Sequence, residues 1–273
     1  MATTASPAQR SEIKVEPVTG VLGAEVSGVD LSVPPSPGTW RELQQALDRH
    51  LVLFFRDQRL TPAQLRILVG RFGLPFLHPT AKGPFVDVPE VLELRKEPGG
   101  KLFGGEYWHS DVTWQKPGGY VSVLHGIDVP SVGNDTCFAS LIAAFESLSD
   151  GLKATLRGLR AVHRFHLTVP GEREPRSAVY PVVRRHPVTG GEGFYLNSFF
   201  VKHFEGMSPE ESQPLLDFLN ARAVHHEFTC RFRWHRGSVA MWDNRFTLHI
   251  PINDANAERR VMIRATALEP PTP

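Results

Sequence analysis

Short segments of alternating apolar and polar residues, each closed by turn residues, dominate the second half of the chain, at 120–124, 136–139, 178–183, 193–196, 227–234, 238–242 and 260–267. Side chains alternate across a strand, so each segment offers one face to a core and one to its other side. Helical patterns interrupt them near 142–156 and 209–221. Earlier, 13–15 and 21–26 read as strands, and 39–50 as an amphipathic helix feeding the apolar strand 51–55. Thr61 caps a second helix running to about residue 72, with Pro62 in its first turn. Many short strands with turn punctuation predict a mainly β fold with helical insertions, a double-sheeted jelly roll.

Nothing divides the chain in two. The 23 Gly and 23 Pro are spread as turn punctuation, and no repeat or low-complexity tract is visible, so residues 12–273 are expected to form a single domain after a disordered start at 1–11. Residues 73–105, rich in Pro, Gly and Lys, are expected to be a mobile loop beside the active site. The formal charge of +1 gives no long-range field for nucleic acid or an anionic membrane, so neither is an expected partner. Two distant cysteines, Cys137 and Cys230, argue against a disulfide scaffold and a thiolate metal site. With no apolar leader at 1–10 and no apolar run long enough to span a bilayer, a cytoplasmic location is expected. In that setting the glycosylation-like Asn134-Asp135-Thr136 is a chance match.

Chemistry concentrates at Tyr107-Trp108-His109-Ser110-Asp111-Val112-Thr113-Trp114. If this segment is extended, His109 and Asp111 share one face about 6 to 7 Å apart, and their tips can converge on one ion. A third ligand, His249, follows Trp242-Asp243-Asn244-Arg245 on a late segment that an antiparallel barrel would lay alongside. Two imidazoles and one carboxylate on one face of an octahedron leave three positions open, which suits Fe(II) binding a bidentate keto acid and O2. The same donors also serve zinc. A rival His-x-Glu spacing at His225-His226-Glu227 lies where a polar helix end meets a strand, and reads as surface.

On 260–267, Arg260 and Arg264 alternate with Val261 and Ile263 and face the same side. They are either part of a solvated sheet face or anion partners inside a barrel, where an unpaired guanidinium would be unfavourable.

Together these segments resemble the taurine and 2,4-dichlorophenoxyacetate dioxygenases, which depend on Fe(II) and 2-oxoglutarate. The likeness runs from Thr19-Gly20-Val21-Leu22-Gly23-Ala24-Glu25 through Trp108-His109-Ser110-Asp111, Gly133-Asn134-Asp135-Thr136 and Trp242-Asp243-Asn244-Arg245 to Arg264-Ala265-Thr266. It implies a double-stranded β-helix core of cupin-like type, with Fe(II), 2-oxoglutarate and O2 as metal and cosubstrates. By position, His109, Asp111 and His249 resemble the catalytic metal ligands, and Thr136 and Arg260 the clamp on the far carboxylate of 2-oxoglutarate. His78 and Arg264 resemble the substrate-anion pair, and Val112 a substrate-pocket position.

Two departures argue against taurine itself: Ala81 stands where the taurine enzyme has a tyrosine, and Gly105 where it has an asparagine. The stretches 203–208 and 228–234 are closer to the aryloxyalkanoate and alkylsulfate branches. The implied reaction is hydroxylation of a small anionic substrate (alkylsulfate, alkylsulfonate or aryloxyalkanoate) with release of succinate and CO2 and cleavage of a C–O or C–S bond. A dimer or tetramer is expected. Alternatives are the same machinery acting on a biosynthetic carboxylate, a zinc-dependent hydrolase, or a non-catalytic 2-oxoglutarate-binding barrel.

Overall fold

The computed structural model describes residues 13–100, 106–255 and 257–271. The expected disordered start and the departure at Gly105 lie outside them.

The chain opens with β1 (Lys14–Pro17) and β2 (Ala24–Ser27), then α1 (Pro37–His50), β3 (Val52–Phe55) and α2 (Pro62–Gly70). Both helices start where their caps dictate. Ser36 accepts from the Thr39 amide ahead of α1, and Thr61 forms a reciprocal capping box with Gln64 ahead of α2. Next come β4 (Leu92–Lys96), β5 (Gly119–Asp128), β6 (Thr136–Ser140), α3 (Leu141–Glu146) and α4 (Asp150–Arg157). The strands β7 (Arg160–Arg164), β8 (Ser177–Pro181), β9 (Val183–Arg185), β10 (Glu192–Phe194) and β11 (Val201–Phe204) lead to α5 (Pro209–Ala223). A 3-10 turn (His226–Phe228) precedes β12 (Thr229–Phe232), β13 (Val239–Asp243), β14 (Thr247–Pro251) and β15 (Arg260–Leu268).

Seven strands form the larger sheet in the order β1-β2-β3-β13-β5-β15-β4, and β12-β6-β14 form the sheet that faces it. Alternation sorts the side chains. Leu53, Phe55, Val121, Val123, Val239, Met241, Ile263 and Ala265 face outward from the large sheet onto Trp40, Leu43 and Leu47 of α1 and Leu65 and Leu68 of α2. Their neighbours Phe54, Leu124, Ala240, Trp242 and Met262 face inward and meet Phe138, Cys230 and Phe232 from the small sheet. Leu248 and Ala139 on the far face of the small sheet pack with Phe145 of α3 and Leu216 and Leu219 of α5. Two sheets around one inner layer, with helices outside both, make the jelly roll expected from the strand pattern.

Several boundaries differ from expectation, for local reasons. The segment 142–156 is two helices, because Ser149 caps a new start with Asp150 in its first turn. The strand expected at 227–234 begins with the 3-10 turn and shrinks to β12. Within the expected loop 73–105, Leu92–Lys96 is a strand paired with β15, in register Arg260↔Lys96. It was hidden because charged Glu93, Arg95 and Lys96 break up its short apolar run. Strands β7, β11 and β14 also escape the periodicity, being only four or five residues long. Cys137 and Cys230 are free thiols, and Asn134 is buried with its amide donating to the Ala255 carbonyl at 3.1 Å. None of the described helices is long and apolar enough to cross a membrane.

One buried histidine makes the fold sensitive to acid. His163 on β7 is fully buried beside Tyr180 and Tyr195, ring centroids 5.5 and 5.3 Å away, and burial pushes its pKa down to about 3. The unfolded chain, with an ordinary histidine pKa near 6.5, then binds one more proton than the folded chain between these values. Stability is therefore expected to fall as pH drops from about 6.5 toward 3. Thermal unfolding of His163→Phe should show a shallower loss over this window by about one proton; an unchanged slope would remove His163 from the account.

Candidate active site

His109 sits in an isolated antiparallel bridge with His249, not in a long strand. The pair exchange backbone hydrogen bonds, His109 N to His249 O at 3.1 Å and His249 N to His109 O at 2.8 Å. Their rings lie 4.2 Å apart as a result. The extended segment expected at 107–114 ends here: residues 111–114 form a turn, and Val112 takes φ +56°. That conformation is strained for a β-branched residue and persists only where the surroundings hold it. The Val112 carbonyl accepts from Gly119 at 3.1 Å, and any Cβ on Gly119 would collide with the Asp111 carbonyl. The turn thus brings the Asp111 carboxylate to the two imidazoles by a route other than strand alternation.

One donor atom from each of His109, Asp111 and His249 lies within 4.8 Å of the others, and all three residues are buried. His109 Nδ1 donates to the Tyr107 carbonyl at 2.7 Å, which leaves Nε2 with its lone pair free. Burial holds both imidazoles below the ordinary histidine range, His249 well below it with help from neighbouring His109, so both are neutral ligand donors near neutral pH. Burial alone would raise the Asp111 carboxyl, but the Arg264 charge, the two histidines and the Ser122 hydroxyl overcome it and hold Asp111 ionised. Neutral imidazoles beside a carboxylate fit a divalent cation with open coordination positions.

The Asp111 carboxylate is held at both ends. Ser122 donates to Oδ2 at 2.7 Å and Arg264 Nη1 to Oδ1 at 2.9 Å. Asn244 ties the assembly together: its Oδ1 accepts from the Asp111 amide and from Trp242 Nε1, both at 2.9 Å, and its Nδ2 donates to Ser122 Oγ at 2.9 Å. Thr266 lies 2.8 Å from Ser122 Oγ. Ser122, Asn244 and Thr266 are not among the residues expected from sequence. Ser122 and Thr266 are polar side chains at inward positions of otherwise apolar strands, which was the available signal.

All eight expected residues border one cavity of about 670 Å³. At one end, Arg260 is only 4% exposed, its Nε has no hydrogen-bond partner, and burial pushes its pKa down to about 10. None of the described carboxylates pairs with it. Thr136 lines the same cavity. Its oxygen accepts from Trp234 Nε1 at 2.9 Å, so its own hydroxyl proton is free for another acceptor. A buried cation without a counter-ion and a free hydroxyl in the same cavity are suited to one carboxylate of a ligand.

At the other end, His78 Nδ1 accepts from the amides of Ala81 at 2.9 Å and Thr80 at 3.3 Å, which leaves the ring proton on Nε2. Burial and then the Arg264 charge lower its pKa to about 4. Phe76, Trp114, Phe165, Phe199 and Phe200 wall this end, and Ala81 lines it with a methyl group. The rival His225 faces Glu227 at 3.4 Å near the surface and does not border the cavity.

A jelly roll that gathers two imidazoles and a carboxylate in the same cavity as an unpaired guanidinium defines the class of mononuclear metal-dependent oxygenases that use a keto acid. Residues 14–266 match the family model described as taurine catabolism dioxygenase TauD, TfdA family. An alkylsulfatase of Acinetobacter baylyi is 33% identical over 93% of this chain and 84% of its own length. An alpha-ketoglutarate-dependent sulfate ester dioxygenase of Pseudomonas putida is 34% identical over 93% of this chain and 89% of its own. The crystal structure of a taurine dioxygenase from Burkholderia xenovorans superposes with TM-score 0.84 and 37% identity, covering 95% of this chain and 92% of that one. The chain belongs to the taurine catabolism dioxygenase TauD, TfdA family.

Asn244→Ala would strip the Asp111 amide and Trp242 Nε1 of their acceptor in a fully buried setting, a loss of at least about 2 kcal/mol of stability. Denaturant unfolding of the metal-free protein should show this loss, with weaker Mn(II) binding alongside.

Proposed function

We propose that residues 12–273 form one Fe(II)- and 2-oxoglutarate-dependent dioxygenase domain that hydroxylates a small anionic substrate of the alkylsulfate, alkylsulfonate or aryloxyalkanoate type. The observation that carries this reading is the shared cavity: three convergent metal donors, with Arg260 buried and unpaired beyond them. The sulfate ester activity named for the Pseudomonas relative supports the substrate class. His109, Asp111 and His249 would hold the iron. Bound Fe(II) supplies the redox chemistry, in which O2 and 2-oxoglutarate yield succinate, CO2 and a hydroxylated substrate.

The protein's own part is orientation and the exclusion of water. Arg260 and the Thr136 hydroxyl take the far carboxylate of 2-oxoglutarate, fixing the keto acid along the cavity. His78 offers its Nε2 proton, and Arg264 its charge, to the substrate anion, while the aromatic wall takes the apolar body and Val112 closes the pocket beside Asp111. Hydroxylation of the carbon that bears the heteroatom gives an adduct that collapses to a carbonyl compound, releasing sulfate, sulfite or a phenol. With Asp111 in the carboxylate position there is no vacant ligand place for a halide. The family's small anionic substrates call for no nucleic acid or membrane partner, and the protein is proposed to work as a cytoplasmic homo-oligomer.

Purified protein with Fe(II) should form succinate only when an accepted anion is present, and a screen of alkylsulfates, alkylsulfonates and aryloxyalkanoates identifies which. Asp111→Ala should abolish this turnover; full succinate production by that variant would overturn the ligand assignment, as would anaerobic turnover without 2-oxoglutarate. Arg260→Ala should raise the KM for 2-oxoglutarate about 100-fold, the size of a lost buried ion pair of ~3 kcal/mol. An unchanged KM would remove Arg260 from the clamp.

A further inference from the structure

One contact does not fit a purely substrate-binding role for Arg264. Its guanidinium is not free in the cavity: Nη1 donates at 2.9 Å to Asp111 Oδ1. That is the oxygen facing the other donors, 3.9 Å from His109 Nε2, whereas Oδ2 is turned to Ser122. Arg264 is therefore bonded to the oxygen that a metal ion would need. It also borders the anion end of the cavity with His78, and its side chain is only 20% exposed, so solvent screens its charge weakly. The two arginines on β15 differ in this respect. Arg260 has no carboxylate to engage, while Arg264 has one that already serves the metal site.

We infer that Arg264 couples the substrate anion to the metal, by sharing one guanidinium between Asp111 Oδ1 and the anion. The inference rests on the ligand assignment proposed above. Without the anion, the positive charge and hydrogen bond of Arg264 compete with a dication for Asp111. When an anion binds, it takes over part of the guanidinium's charge and donors, and Asp111 becomes a stronger ligand. Such coupling is reciprocal: a metal on Asp111 releases Arg264 and so tightens anion binding by the same factor. The consequence is a metal centre that reaches full ligand strength only with substrate in place, which limits consumption of the keto acid without a substrate to oxidise.

The test is Mn(II) binding to the metal-stripped full chain, read from the electron paramagnetic resonance signal of free Mn(II). 2-Oxoglutarate is kept saturating so that Arg260 is occupied, ionic strength is constant, and hexyl sulfate is the anion probe. Saturating hexyl sulfate should tighten Mn(II) binding about five-fold or more, at the lower end of typical couplings. His78→Gln, which weakens the anion site but leaves the Arg264–Asp111 contact, should need more hexyl sulfate and reach the same factor. Arg264→Gln should bind Mn(II) at least as well as the parent without the anion, and show a factor near one with it.

A factor in Arg264→Gln equal to the parent's would mean that anion and metal attract each other directly, and would overturn the inference. So would a parent whose Mn(II) affinity ignores hexyl sulfate. Failure of the parent to bind Mn(II) at all would instead overturn the ligand assignment beneath it, so the two failures are distinguishable.

Discussion

Two backbone hydrogen bonds, between residues far apart in the chain, hold the site together. His109 and His249 exchange amide and carbonyl as an antiparallel pair, so their side chains must emerge on the same face. The position of His249 is set in turn by β14 on β6, where His249 lies opposite Phe138 and Leu248 opposite Ala139. A slip of one residue would turn His249 toward the outer helices and bring Leu248 into the cavity. The apolar interior prevents this. Phe138 and Trp242 pack against the His249 ring at 6.2 and 4.8 Å, and Leu248 is buried among the residues of α3 and α5. Hydrophobic sorting between the two faces of the small sheet thus becomes placement of a metal donor.

The carboxylate is placed differently. Asp111 leaves the bridge in a turn whose strained Val112 must be supported from outside, and the support comes from the hairpin between β13 and β14. Asn244 in that hairpin holds the Asp111 amide and Ser122 together, while next to it Asp243 and Arg245 pair within the same turn, Nη2 to Oδ2 at 2.6 Å. The guanidinium of Arg245 also lies over the Tyr120 ring at 4.0 Å. One hairpin therefore fixes both the strand that carries His249 and the turn that carries Asp111.

The parts of this arrangement that follow from local chemistry were legible in sequence. Alternation along 260–267 put Arg260 and Arg264 on one face, and Met262 and Thr266 share it inside the barrel while Ile263, Ala265 and Ala267 pack against the helices. The second helix starts at the Thr61 cap as expected, whereas α1 starts at Pro37, two residues ahead of the expected 39, where Ser36 caps it. Other parts needed the tertiary structure. Residues 111–114 carry β-branched and aromatic side chains that favour a strand, yet they turn because Gly119 lets the backbone close on Asp111. β4 pairs because β15 offers it an edge, which no local pattern in 92–96 announces. The pairing of Arg264 with Asp111 is likewise invisible in one dimension, since it depends on which of two carboxylate oxygens faces inward.

Charge narrows the substrate further than shape does. Of the charges lining the cavity, Lys82 is exposed to solvent, Arg95 pairs with Glu93 and Glu90 with Arg66, which leaves two guanidinium groups inside, Arg260 and Arg264, against the one carboxylate of Asp111. The inside of the cavity therefore carries one net positive charge, because burial keeps His78, His109, His166 and His249 neutral. A divalent metal adds two positive charges and fully ionised 2-oxoglutarate adds two negative ones, so the site still holds one positive charge when both are bound. A singly charged substrate brings the total to zero. A neutral substrate would leave a buried cation unpaired, and a doubly charged one such as a phosphate monoester would leave a buried anion, each unfavourable where water is excluded. Sulfate esters, sulfonates and carboxylates carry the single charge that this balance calls for, and the aromatic wall then selects among them by the apolar group attached.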